Sequence, residues 1–167
     1  MTQKTVDFAA LARVSLRAEL RTVRLAEVTA SCDPQVVGGT LEAKLDNDCE
    51  VVGRHNGSLR VACNYRFTVQ VAEAQAAQAT IKYLLDYDLR GNEPLAEDDI
   101  AEFAFANGTL HSWPFVREFL YGLTAKMGFL PYTLPVFHFV PKPPQKKGPE
   151  DGVATTQSTA PSPKEST

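Results

Sequence analysis

From Leu59 to Val71 apolar and polar residues alternate, with Leu59, Val61, Cys63, Tyr65, Phe67, Val69 and Val71 on one side and Arg60, Asn64, Arg66, Thr68 and Gln70 on the other. A period of two turns one face inward and the other to water, so this segment reads as a long strand with one buried face. The same phase runs through Leu41, Ala43, Leu45, Cys49 and Val51 against Glu42, Lys44, Asp46, Asp48 and Glu50, a second such strand interrupted by Asn47. Ala79, Ile81, Tyr83, Leu85, Tyr87 and Leu89 alternate with Thr80, Lys82, Asp86 and Asp88, with Leu84 out of place on the polar side. An earlier strand, Leu20 to Cys32, changes phase between the pair Val23 and Leu25 and the set Val28, Ala30 and Cys32. An inserted residue causes such a change, so a bulge is expected near Ala26 or Glu27.

Asp33-Pro34 and Gly38-Gly39 separate the first two strands, Asn56-Gly57 is a hairpin signal between the second and third, and Ala74 to Gln78 joins the third to the fourth. The simplest topology is a four-stranded antiparallel meander. Before it, Phe8, Leu11, Ala12 and Ser15 or Leu16 recur at helical spacing with Arg13 and Arg17 between them, a short amphipathic helix that reads as an arm or lid. After it, Pro94 to Ala106 reads as a helix with an acidic first turn, Glu97, Asp98 and Asp99, stopped by Asn107-Gly108. A second helix follows in SWPFVREFLYGLTAKMG, with Ser112 as N-cap, Pro114 in the first turn and Gly128 after the last. The fold class is α+β, helices packed on one face of the sheet. Beyond Val140 the chain is rich in Pro, Ser, Thr and Lys and carries too little apolar surface to offset the entropy of ordering. Residues 1–144 are read as one domain and 145–167 as a disordered tail.

Composition narrows the function. With 167 residues, 44% hydrophobic and 22% charged, the chain suits one soluble domain, and a net charge of -3 offers no general attraction to nucleic acid. The N-terminal stretch lacks the apolar run of a signal peptide and no segment has the length of a membrane span, so the protein is expected in the cytoplasm, without membrane insertion. Cys32, Cys49 and Cys63 are odd in number, lie in strands and read as small buried apolar groups rather than a disulfide framework. No CxxC or HxxxH spacing supports a metal, His55, His111 and His138 share no local motif, and the rows Asp46, Asp48, Glu50 and Asp86, Asp88 read as the solvated face of a sheet. No phosphate-binding loop or nucleophile elbow occurs. No catalytic residue, metal or cofactor is expected, and the chain does not read as an enzyme.

What remains is binding. The helix from Trp113 to Met127 carries two apolar stripes: Val116, Leu120, Leu123 and Met127 on one side, and Phe115, Phe119 and Gly122 beside them. A helix on one face of a single sheet needs one stripe, so Trp113, Val116, Phe119, Leu120, Leu123 and Met127 are expected at an oligomer interface. The alternative is burial under the N-terminal helix. Strands of about a dozen residues span about 40 Å and a helix of ~16 residues about 24 Å, so part of the apolar sheet should stay open as a groove. Beside it the run FLPYTLPVFHF offers Phe129, Leu130, Tyr132, Leu134, Val136 and Phe137 as candidate polypeptide-binding residues. Any one of them could instead plug the domain edge.

The segment WPFVREFLYGLTAKMGFLPYTLPVF, preceded by the FANG turn and a tyrosine-containing fourth strand, resembles the SecB family of chaperones, in which an aromatic-Pro-aromatic-x-Arg-Glu helix start precedes an LxP-type loop. The resemblance covers roughly residues 15 to 140. It implies an ATP-independent holdase, assembled as a dimer of dimers, with the helix matching Trp113 to Met127 at the assembly surface and long grooves for unfolded client polypeptides. Two departures stand out. The export members continue into a second long C-terminal helix over the groove, where this chain turns Pro-rich, and of the acidic pair by which they dock the SecA motor only Glu27 has a counterpart, Ser31 standing four residues on. An extra N-terminal helix without the C-terminal one is similar to the branch that accompanies toxin-antitoxin pairs and protects an antitoxin. A dedicated binding module for one partner, an antitoxin or a secretion component, is the alternative to a general chaperone.

Overall fold

The computed structural model describes residues 5–36, 41–72, 74–91 and 93–141, so the tail expected at 145–167 lies outside the described residues. Four long strands, β2 (Ala18–Cys32), β3 (Leu41–His55), β4 (Ser58–Val71) and β5 (Ala74–Leu89), form one antiparallel sheet. Their periodicity places the strands as the sequence does, and the α+β class holds. The connectivity does not follow a meander. The order is β2-β5-β4-β3, so the first strand pairs with the last and the chain crosses to the far edge between Cys32 and Leu41. The eight residues between them reach about 26 Å, against about 14 Å for three strand spacings, so a crossover is as accessible as a hairpin. Alternation tells which face a residue takes but not which neighbour its strand chooses.

Turn chemistry explains the tight connections. Asn56 and Gly57 both have positive φ, 43° and 76°, as a two-residue type I′ hairpin requires. Between β4 and β5 the turn comes at Ala72 (φ 46°), and β5 already begins at Ala74. The Ala74 to Gln78 stretch is therefore strand rather than connection. Nothing in its composition marks a turn, because the left-handed residue is an alanine. In β2 the register against β5 shifts between Leu25 and Glu27, leaving out Ala26 as the phase change requires, and shifts once more between Leu20 and Thr22.

A single helix, α2 (Glu97–Lys126, 30 residues), lies over the sheet where two helices were expected. Gly108 is a packing residue rather than a stop. A Cβ there would come 2.8 Å from Cys63 Sγ and 3.1 Å from Val61 Cγ1, so the backbone sits directly on the strands. Ser112 is no N-cap either: its Oγ donates to the Gly108 carbonyl at 2.6 Å and shares a hydrogen bond with the Tyr65 hydroxyl at 2.7 Å. Pro114 lies inside the helix and supplies no N–H to the preceding turn.

The N-terminal helix α1 (Phe8–Ser15) is capped by the Asp7 carboxylate, which accepts from the amides of Ala9 and Ala10. It docks on α2 by burying Ala10 and Val14 and by a two-pronged ion pair from Arg13 to Asp99, both contacts at 2.6 Å. That guanidinium holds the Asp99 carboxyl below its usual pKa. Two short strands, β1 (Thr5–Val6) and β6 (Val140–Pro141), pair in parallel and tie the end of the described chain to its beginning.

The cysteines also differ from expectation. Cys49 and Cys63 stand opposite each other on β3 and β4 and are disulfide-bonded, while Cys32 is exposed because β2 has no helix above it.

Candidate polypeptide-binding surface

A 30-residue helix rises about 45 Å, enough to run the length of the sheet, so the sheet is not left open at its end as the shorter helices implied. It is left open at its side. One helix is about 10 Å wide and the sheet four strands broad. The inward residues of β4 and β5, from Leu59 to Val71 and from Ala77 to Tyr87, are buried. On β2 none of the residues from Ala18 to Cys32 is.

Antiparallel partners share a face, so the register carries the apolar floor outward from β5 onto β2. Tyr87 stands opposite Leu20, Leu85 opposite Val23, Tyr83 opposite Leu25 and Ile81 opposite Val28. Both bulges matter here. By leaving out Arg21 and Ala26 they keep Leu20, Val23, Leu25 and Val28 on one side despite uneven spacing. Leu25 and Val28 are each 46% exposed, on an edge strand with no outer partner among the described residues. The wall of this open flank comes from α2. Phe115, 47% exposed, lies 6.2 Å from the Tyr83 ring, and His111 Nδ1 is hydrogen-bonded to the Tyr87 hydroxyl at 3.0 Å. Burial raises the pKa of the Tyr83 and Tyr87 hydroxyls.

Burial likewise lowers the His111 pKa below 6.5. As pH falls through the ordinary histidine range the unfolded chain takes up a proton that the folded chain resists, so this group's contribution to stability is present above that range and lost on acidification. Urea midpoints should therefore fall between about pH 7.5 and 5.5, and less so in His111→Gln. Equal pH slopes for the two proteins would show that His111 is not the group responsible.

A second apolar concavity, about 560 Å³, lies on the other flank of α2, between Leu110, Trp113, Pro114 and Tyr121 and the stretch Thr133, Val136 and Phe137. Trp113 fastens that stretch by donating its indole N–H to the Pro135 carbonyl at 3.0 Å and by packing on Phe137 at 4.9 Å.

The residues singled out in the sequence divide accordingly. Val136 and Phe137 line the second concavity, with Val136 65% exposed. Leu134 is buried, Tyr132 packs on Phe67, and Phe129 is partly buried against the core. Leu130, 82% exposed, does not line either surface. On the helix, Val116 and Leu120 are wholly inside the protein's own core, Trp113 is buried, and Phe119, Leu123 and Met127 pack partly against the same core. Val116, Leu120 and Trp113 thus have little surface to give a partner, and the exposed apolar groups of this half of α2 are Phe115 and Tyr121. Leu20, Leu25 and Val28 were missed as surface residues. Their signal was the phase change itself, once traced through both bulges.

No family model matches the chain. In sequence it is 24% identical over 147 residues to the SecB-like chaperone Rv1957 of Mycobacterium tuberculosis (strain ATCC 25618 / H37Rv), spanning 75% of this chain and 80% of that one, and to the same extent to the SecB-like chaperone MT2006 of strain CDC 1551 / Oshkosh. In structure it superposes with a TM-score of 0.71 and 22% identity, over 78% of this chain and 96% of the other, on the Mycobacterium tuberculosis Rv1957 SecB-like chaperone in complex with a ChAD peptide from the Rv1956 HigA1 antitoxin. At that identity the superposition speaks for the fold. The chain is thus similar in sequence to SecB-like chaperones and shares the fold of one of them.

Proposed function

We propose that this protein is an ATP-independent holdase that takes up extended apolar segments of non-native polypeptides on the open flank of its sheet, with an antitoxin as its natural client. The observation that carries this reading is the row of exposed apolar side chains Leu20, Leu25 and Val28 on β2, which no helix covers, facing the exposed Phe115 of α2. Contiguous exposed apolar surface of this kind marks binding, and binding by apolar burial needs no nucleotide. The antitoxin peptide bound by the related chaperone supports the choice of client.

The protein is proposed to act in the cytoplasm as a homo-oligomer, a dimer of dimers, using the free edge of β2 and the exposed side of α2 at Tyr121. An unpaired edge strand is a ready template for a second copy. SecA is left out of the proposal, because Glu27 faces Lys82 at 3.7 Å and its family partner is replaced by Ser31. Residues 1–144 are proposed as the folding unit.

The test is light scattering from an unfolding client with the protein added and no nucleotide present. Suppression of aggregation at near-stoichiometric ratios is expected, and none at any ratio would overturn the holdase. Tight binding of an antitoxin segment without protection of unrelated clients would favour the second reading, a module dedicated to one partner.

A further inference from the structure

We propose that Cys49 and Cys63 form a reversible thiol–disulfide switch that sets how closely α2 seats on the sheet. The two residues are direct cross-strand partners with Cα atoms 4.2 Å apart, the short spacing of a non-hydrogen-bonded antiparallel pair, and their side chains share the face beneath the helix. The structure joins them by a disulfide.

What lies above them makes the pair more than a staple. The helix passes over at Gly108, where a Cβ would approach Cys63 Sγ to 2.8 Å and Cys49 Cβ to 3.3 Å, so no side chain cushions the backbone from the sulfurs. Bonded sulfurs sit about 2.05 Å apart, whereas two thiols in van der Waals contact need roughly 3.5 to 4 Å. Reduction therefore asks for room where there is none, and either the helix lifts or a thiol swings aside. Thr109 is placed for the second: its Oγ1 lies 3.4 Å from Cys49 Sγ and accepts from Asn47 Nδ2 at 3.0 Å.

The chemistry is exchange with a low-molecular-weight thiol such as glutathione. A thiolate attacks one sulfur, a second displaces the mixed disulfide, and two thiols are oxidised to one small disulfide while Cys49 and Cys63 each gain a proton. Oxidation is the reverse. In a reducing compartment the dithiol is the resting form and oxidation the signal. Both sulfurs are buried, Cys63 completely, so exchange waits on local opening of α2 and is slow. His111 and Phe115 follow Gly108 by one and two helical turns, so a change in seating reaches the wall of the open flank. That last consequence rests on the proposed function.

The experiment uses the full chain carrying Cys32→Ser, equilibrated in glutathione buffers from reduced to oxidised. Alkylation and mass spectrometry count thiols, hydrogen exchange follows α2, and melting and client protection are measured on the same samples. Expected are a two-thiol transition, a melting temperature higher by on the order of 5–10 °C when oxidised, faster exchange around Gly108 when reduced, and no redox response in the Cys49→Ala, Cys63→Ala double variant. Two thiols that never oxidise, or identical melting and exchange in both forms, overturn the switch. A full transition with unchanged client protection keeps the switch and counts against the flank as the binding surface.

Discussion

Leu120→Glu is expected to unfold the protein rather than to release intact protomers from an assembly. Leu120 is 0% exposed on the inner stripe of α2, next to the equally buried Val116, and no cation lies in that core cluster. A carboxylate there is either ionised without a partner or protonated at a cost, and the leucine packing is lost as well. The loss should exceed about 4 kcal/mol, a large share of the 5–15 kcal/mol that holds a typical domain. Circular dichroism and denaturant unfolding should show no cooperative transition. Phe115→Glu, on the exposed side of the same helix, should keep the fold. A native spectrum and a reduced mass for Leu120→Glu would return this stripe to a subunit interface.

Leu25→Asp combined with Val28→Asp is expected to abolish client protection while leaving the domain folded. About half of each side chain is already in water, so each change should cost no more than about 1 kcal/mol of stability. A bound client would cover the other half, worth roughly 0.8–1.5 kcal/mol per residue, and would also have to desolvate two carboxylates. Client affinity should fall by about 15-fold or more, conversion at 1.4 kcal/mol per decade giving the lower bound. Thr80→Asp, exposed on the opposite face of β5, is the control and should do little. Equal protection by the double variant would move the binding surface elsewhere, the concavity around Trp113 and Phe137 being the next candidate.

The reasons why some features were legible in the sequence and others were not are physical. Strand positions could be read because each long strand buries one face, and the hairpin at Asn56-Gly57 because only residues tolerant of positive φ close it. The bulge at Ala26 showed as a broken period. The order of strands leaves no mark in alternation, which is why β2 was placed beside β3 instead of β5. Gly108 was misread because a glycine that ends a helix and one that lets a helix touch a sheet look alike in one dimension. With α2 split there, the uncovered surface was placed at the end of the sheet, and aromatic residues after the helix were taken to line it. Once α2 is continuous, Leu134 becomes core and the open surface moves to β2, whose phase change was read as a bulge without a face being assigned to its apolar residues.

The reading as a chaperone rests on one surface, so mapping that surface with a client in place tests it most directly. Hydrogen exchange of the full chain, alone and with an unfolded client and without nucleotide, should show added protection in residues 18–32 and around His111 to Phe119, the floor and wall of the open flank. The outer face of the sheet, where Arg60 and Arg24 pair with Asp86, should be unchanged. Protection confined to that charged face, or absent while client binds, would contradict the account.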